Sequence, residues 1–405
     1  MMPFALPPAE TRLPLTALVR GLLPLKTHFS EQFVTYLGVD ADSCVLAGSA
    51  RSLLYLLLRT LRSQACSGSA TEVLIPGYTC YSVAAAVVKA GLKVQLYDLD
   101  PNTLQPDFDD LSRKISGGTL AVIGQHLLGV RTEMRKLARI AKQQGVCCIE
   151  DSAQYLNVGQ VGMAEERAAD YTLFSFGRGK PMPLGGGGAL IGKETGMLSR
   201  VAEYLQSITP RPANPLLPFA IRLFSWPKLY WMLERLPLGL GRTVYDPEFT
   251  VASMPTLYQR IGTRALAGLA QLNRHRVEIS RTYRTCLGGS PQQDSAHVRF
   301  PVLVREQDEV TGMARFGVRR LYPLALCDLP PLGKHLVQLG LALPGAREIA
   351  ERLVTLPTHR TVDSQCAQAI CYHLRTRFGD LQLIKQESTG LSATPAVKME
   401  TVNAV

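Results

Sequence analysis

Residues 146–190 hold the groups best placed to do chemistry. The apolar run 146–149 ends in Glu150-Asp151, followed by Ser152-Ala153-Gln154, and the run 171–176 ends in Gly177-Arg178-Gly179-Lys180. Four glycines, Gly185 to Gly188, precede Ala189-Leu190-Ile191. Both runs read as buried strands that deliver a polar group at the carboxyl end, which is where open α/β sheets hold their ligands. A carboxylate on one strand end and a lysine on the next can hold the two sides of a pyridoxal phosphate ring. Lys180 would form the Schiff base, and Asp151 would keep the pyridine nitrogen protonated. A lysine after Gly-Arg-Gly is more ordinarily a solvated loop residue, and an Asp-Ser pair can simply cap a helix. Arg178 could serve an anionic ligand or face solvent. The glycine run is not a Walker loop, because no Lys-Ser/Thr follows it; it reads as a turn that leaves room for a ligand.

These two strands need neighbours to position them. Residues 29–38 read as a short helix with a serine cap and a glycine stop. The turn Ala47-Gly48-Ser49-Ala50-Arg51-Ser52 opens a helix at 53–62, where free backbone N–H groups and the helix dipole suit a phosphate. A strand at 72–76 leads through Gly77-Tyr78-Thr79-Cys80-Tyr81 into a helix at 82–90. Further strands are expected at 92–99 and 121–127, with a helix at 134–144 between them and the central stretch. His126, at a strand end, reads equally as a substrate-facing group or a structural histidine. Strand and helix alternate from about 45 to 192, which demands a mostly parallel sheet with helices on both faces. A single long helix is expected over 259–279, then a strand at 298–304 and helices near 309–316, 346–353 and 364–375.

The combination EDSAQ, with Lys180 placed 29 positions after Asp151 at the end of SFGRGK, resembles the signature of the DegT/DnrJ/StrS-type sugar-nucleotide aminotransferases, fold-type-I pyridoxal phosphate enzymes. The resemblance runs from about residue 30 to 380. It implies an α/β fold with a pyridoxal phosphate-binding large domain at 1–255, a bridging helix and small α+β domain at 256–385, and a flexible tail at 386–405. It implies Lys180 and Asp151 as catalytic residues, with Gly48, Ser49, Ala50, Ser175 and Gln154 joining them on the cofactor. Ser175 would hold phosphate and Gln154 would lie near the ring's 3′-oxygen. The family's ring-stacking aromatic falls on Cys80, and Tyr81, one step on, is the better candidate to cover the ring. The family's cross-subunit asparagine is missing, since Thr250-Val251-Ala252-Ser253 stands there; either Arg242, Arg260 or a hydroxyl replaces that anchor, or the cross-subunit contact is lost. The implied reaction moves an amino group from an amino acid, glutamate in most of the family, to a keto-sugar that is usually nucleotide-linked, in a homodimer. The products of such enzymes enter polysaccharides, glycans or antibiotics. Relatives that dehydrate sugars replace the lysine by histidine, so Lys180 counts against that reaction. A non-catalytic, ligand-binding role on the same fold is the other alternative, kept open by the missing asparagine and the displaced aromatic.

Composition bounds the rest. The chain has 405 residues, 46% hydrophobic and 19% charged, with a net charge of +11, which fits a globular α/β protein and favours anionic partners. The basic residues are spread along the chain with no nucleic-acid motif. Nine cysteines without a CxxC read as reduced thiols of a cytoplasmic protein, with no metal site. The N-terminus lacks a signal-peptide pattern, and no run reaches the roughly 18 apolar residues of a membrane span. Residues 219–243 interleave Phe219, Phe224, Trp226, Tyr230 and Trp231 with Arg222, Lys228, Arg235 and Arg242. Such a stretch packs on a neighbouring domain or subunit, or lies on an anionic membrane surface.

Overall fold

The computed structural model describes residues 6–9, 13–23, 26–65, 70–156, 167–208, 214–234, 243–290, 295–305, 308–379 and 381–385. The expected tail at 386–405, and Arg235 and Arg242 of the aromatic-basic stretch, lie outside these.

Helix α1 (Leu15–Leu22) and helix α2 (Phe29–Leu37) precede strand β1 (Cys44–Ala47). Helix α2 ends on Gly38 in the left-handed region, as its glycine stop requires. Its N-cap position is His28 and carries no side-chain cap; Ser30 lies inside the first turn. The chain then alternates as expected. Helix α3 (Ala50–Gln64) leads to β2 (Glu72–Pro76), α4 (Tyr81–Lys89) to β3 (Lys93–Tyr97), and α5 (Phe108–Lys114) to β4 (Thr119–Gln125). Helix α6 (Met134–Gln143), β5 (Cys147–Asp151), β6 (Tyr171–Ser175), β7 (Gly188–Gly192) and α7 (Thr195–Ser207) complete this part.

These strands form one seven-stranded sheet in the order β1-β7-β6-β5-β4-β2-β3. Strand β7 is antiparallel to both its neighbours, and the ladders among β2 to β6 are parallel. The parallel strands are buried along most of their length, so their apolar runs do not alternate. Helix α3 buries Leu53, Leu54, Leu56, Leu57 and Leu58, each contributing roughly 1.5–3 kcal/mol of transfer free energy. Phe29 and Phe33 of α2 pack edge-on against Phe174 and Phe176 at the end of β6.

Helices α8 (Leu216–Phe224) and α9 (Pro227–Glu234) follow, then α10 (Thr256–Ala267) and α11 (Leu269–Cys286). The single helix expected over 259–279 is therefore two helices, broken at Gly268. A second, four-stranded sheet has the order β11-β8-β10-β9, from β8 (Arg299–Leu303), β9 (Arg319–Arg320), β10 (Leu353–Pro357) and β11 (Gln382–Leu383). Helices α12 (Pro344–Arg352) and α13 (Ser364–Phe378) accompany it. The helix expected near 309–316 is a 3₁₀ segment, Asp308–Met313. The two sheets meet where Asp98, beyond β3, accepts the amides of Gly345 and Ala346 at 3.0 and 2.7 Å. A Cβ on Gly345 would stand 1.7 Å from the carbonyl oxygen of Leu99, so only glycine permits this contact.

Candidate active site

The carboxyl ends of β4, β5 and β6 deliver Gln125, Asp151 and Ser175 to one edge of the seven-stranded sheet, with Gln125 and Asp151 directly paired across their ladder. Between them and the first turn of α3 lies a cavity of about 240 Å³. Asp151, Gln154, Ser175, Lys180, Ser49 and Ala50 all line it. Residues separated by more than a hundred positions in sequence thus share one wall, because a parallel sheet brings its strand ends to the same side.

The anion end of the cavity is the start of α3. Ser49 is the N-cap, and its Oγ accepts the amide of Ser52 at 3.1 Å. The first backbone bond of the helix is from Leu53 N to Ser49 O, which leaves the amides of Ala50 and Arg51 ahead of it as free donors. Gly48 does not line the cavity. Its N–H donates to Ala252 O at 2.7 Å and its carbonyl accepts from Gly187 N at 2.8 Å, so its amide is spent and its expected contact with the cofactor is replaced by a bracing one. The glycine run has the same purpose. Gly187 takes φ +101°, and a Cβ on Gly188 would lie 2.5 Å from Ala50 N. The glycines let β7 approach the turn of α3; they do not leave room for a ligand there.

The cation-facing end is built by β5. Asp151 Oδ1 accepts from Ala153 N at 2.9 Å. Burial pushes its carboxyl above the ordinary value, and the Ala153 amide and the Lys180 ammonium oppose that shift. Its neighbour Glu150 points the other way and is buried against His126, with Oε1 2.8 Å from His126 Nε2 and 2.9 Å from Ser152 Oγ. Burial opposes charge on Glu150, but the bonds from His126 and Ser152 outweigh it and hold the carboxyl below its ordinary value. His126 Nδ1 accepts the amide of Thr132 at 3.0 Å, so Nε2 carries the proton given to Glu150. The histidine reaches the cavity wall with both ring nitrogens committed to the protein, which favours the structural reading over a substrate-facing one.

Lys180 sits on the turn after β6, its N–H bonded to Gly177 O and its side chain on the cavity wall. Arg276, on α11, donates to Pro181 O at 2.8 Å and to Lys180 O at 3.4 Å, and Asn273, one turn earlier, donates to Leu156 O at 2.6 Å. One helix thus holds the loops after both β5 and β6. Gln154 accepts Leu128 N at 2.6 Å and donates to Tyr322 Oη at 3.0 Å. That fixes Leu128 in the left-handed region, at φ 58°.

Tyr81 is not on the cavity wall. Its ring is buried and its hydroxyl donates to Leu324 O and accepts Leu324 N at 3.1 and 3.0 Å. Tyrosine at the start of α4 turns into the protein because that position faces the segment after β9, while Cys80, the N-cap residue, faces the cavity. The aromatic ring on the wall is Tyr322, which packs on both Tyr78 and Tyr81. Arg51 is a second lining residue that sequence reasoning missed. It is held by Asp246 at 3.7 Å and by the Phe249 ring at 4.2 Å. No group of three or more metal-ligating side chains is present among the described residues.

The residues fit pyridoxal phosphate. Free amides and two hydroxyls gather at one end for a phosphate, with an amine and, at the carboxyl end of β5, a carboxylate on the same wall. The sequence profile of the DegT/DnrJ/EryC1/StrS aminotransferase family matches residues 21–209. Over these residues, a little under half of its length, the chain matches that family. It is a pyridoxal phosphate-dependent aminotransferase. The dTDP-4-dehydro-2,3,6-trideoxy-D-glucose 4-aminotransferase of Saccharopolyspora spinosa is 29% identical over 379 residues, 88% of this chain and 92% of the relative. The L-glutamine:2-deoxy-scyllo-inosose aminotransferase of Streptomyces kanamyceticus is 30% identical over 189 residues, 46% of this chain and 42% of the relative. Among solved structures, PseC of Helicobacter pylori, an aminotransferase of pseudoaminic acid biosynthesis, superposes with a TM-score of 0.71 over 92% of this chain and 99% of its own at 15% identity, a likeness of fold.

Proposed function

We propose that this aminotransferase moves an amino group from an amino-acid donor to a nucleotide-linked keto-sugar. The observation that carries the reading is the convergence of Asp151, Lys180 and the amide-lined start of α3 on one cavity. The Saccharopolyspora spinosa relative acts on a dTDP-linked keto-sugar by its name, which supports a nucleotide-linked acceptor. Glutamate is the donor implied by the resemblance, and the name of the Streptomyces kanamyceticus relative puts glutamine beside it.

Pyridoxal phosphate, when bound, supplies an electron sink next to the donor's α-carbon. Ser49, Ser175 and the Ala50 and Arg51 amides would hold its phosphate, and the Arg51 guanidinium would add a cation to a site whose family asparagine is missing. Asp151 would keep the pyridine nitrogen of the cofactor protonated. Lys180 anchors the cofactor and takes and returns a proton at Nζ. Gln154, tied to Tyr322, keeps the loop after β5 against the 127–129 turn. Lys180 stands where sugar-dehydrating relatives carry histidine, which supports amino transfer.

A cytoplasmic homodimer belongs to the same reading. No helix among the described residues is long and apolar enough to cross a membrane. Helix α8 buries only Pro218 and leaves Leu216 72% exposed, with Trp226 beyond its end 52% exposed. Such a helix supports a partner surface, a second copy first and an anionic membrane second.

The test is product formation by mass spectrometry from glutamate or glutamine and a dTDP-linked 4-keto-sugar. The expected product carries an amine and a hydrogen in place of the carbonyl oxygen and is heavier by about one mass unit. An enzyme that accepts free keto-sugars or keto acids but not the nucleotide-linked acceptor would refute the substrate assignment.

A further inference from the structure

A second cavity, of about 60 Å³, lies behind the Lys180 turn, where α10 meets α11. Arg264, Arg276 and Arg360 line it, together with His359, Met182 and Leu272. One probe-sized void of roughly 10–15 Å³ holds a water, so this space admits a group of several atoms.

Its charge is one-sided. Arg276 is only 5% exposed. Its Nη atoms donate to Pro181 O, Lys180 O and Asn273 Oδ1, and its Nε has no partner. The charge it feels most is another cation, Arg360, and burial beside that cation lowers its guanidinium to about 9. Among the described residues neither Arg264 nor Arg360 forms an ion pair, and both are solvent-exposed at the cavity mouth. His359 is already committed, with Nε2 on Pro7 O and Nδ1 on Thr361 Oγ1, both at 2.8 Å. A buried cation costs several kcal/mol unless an opposite charge offsets it. Among the described residues that line it are three guanidiniums and no carboxylate, with one buried N–H left without an acceptor.

We propose that this cavity is an oxyanion site, taking a phosphate or carboxylate group between Arg276, Arg264 and Arg360. Arginine suits either group, because its planar fork pairs with two oxygens at once. No described residue lines both this site and the cofactor cavity, and it stands on its own charges whatever the enzyme's substrate. Arg276 links the two, since the guanidinium that would face the anion also holds the carbonyls of Lys180 and Pro181.

The experiment uses the full chain loaded with pyridoxal phosphate, so that the start of α3 is already filled. Inorganic phosphate in one arm and succinate in the other are titrated at constant ionic strength, with Tm as the readout. The wild type is expected to show a saturable rise in Tm in at least one arm, and the responding arm identifies the group. Arg264→Gln with Arg360→Gln removes two exposed cations and leaves the buried core untouched. The double variant should keep the cofactor band of Lys180 and lose the response, with affinity down by roughly ten- to a hundredfold for each charged hydrogen bond removed. No response in the wild type to either probe, as when a carboxylate of a second copy fills the cavity, overturns the proposal. An equal response in the double variant overturns it as well, since the anion would then bind elsewhere.

Discussion

Gly188→Ala tests the bracing of the phosphate turn. The added Cβ would lie 2.5 Å from Ala50 N, 2.8 Å from Ala50 Cα and 2.9 Å from Phe174 O. All three are backbone atoms, so no side chain can swing aside, and the nearest contact falls short of ordinary van der Waals separation by roughly an ångström. Either β7 leaves its ladder with β6 or the start of α3 moves off the cavity. Overpacking of this kind costs about 1–3 kcal/mol and sometimes more. Because the displaced atoms are the amides that would meet the phosphate, cofactor affinity should fall too, by roughly ten- to a hundredfold for a charged hydrogen bond lost. Chemical denaturation of the cofactor-free protein measures the first effect, and titration of pyridoxal phosphate against the visible band measures the second. Wild-type stability together with wild-type cofactor affinity would refute the claim that the glycine run exists to let β7 meet α3.

Other expectations follow from the same geometry. Gly196→Ala, at a helical position of α7 with nothing within 4 Å of the added Cβ, should leave cofactor binding alone and stabilise by about 0.4–1 kcal/mol, read by the same denaturation. Asp151 has its carboxyl raised by burial, so its protonated form favours the folded state and stability is lost as pH rises through the folded value. Asp151→Asn should remove that loss and stabilise the cofactor-free protein at neutral pH, while lowering turnover by roughly a hundredfold or more; a destabilised or fully active variant contradicts this. His297, buried and bonded to Leu128 O at 3.0 Å, is lowered to about 4. The unfolded chain takes up that proton first, so stability should fall as pH drops from about 6.5 to 4, by on the order of 3 kcal/mol, and His297→Gln should flatten that limb of a stability–pH curve. Glu150→Ala strips the acceptor from His126, Ser152 and Thr172 and should cost at least about 3 kcal/mol in the same denaturation assay.

The strand ends were legible because they obey short-range rules. A buried parallel strand is a continuous apolar run, and the polar residues that follow it mark its carboxyl end, as Glu150-Asp151 do for β5; singling out Lys180, five residues beyond β6 and past Arg178, rested on the resemblance. Ser49 followed from the small-residue turn ahead of an apolar helix, a weak local signal that gained weight from the resemblance. What sequence could not supply was contributed from far along the chain. Arg276 and Asn273 clamp the site loops from a helix about a hundred residues on, and their spacing of three is no different from that of any amphipathic helix. Tyr322 replaces Tyr81 as the aromatic on the cavity wall because side-chain direction at the start of α4 depends on what packs over it. Arg51 stood inside the expected turn, but its partners Asp246 and Phe249 come from a stretch with no periodicity to read. Gly268 could have warned of a break in the long helix, since glycine costs about 1 kcal/mol inside one.

The absorption spectrum of the purified protein with pyridoxal phosphate tests the central claim most directly. The wild type should show a visible band that is absent in Lys180→Ala and is bleached by glutamate or glutamine, with its return on adding the keto-sugar acceptor. A visible band of wild-type strength in Lys180→Ala, or a wild-type protein that takes up no cofactor at all, would contradict the assignment of this cavity and of Lys180.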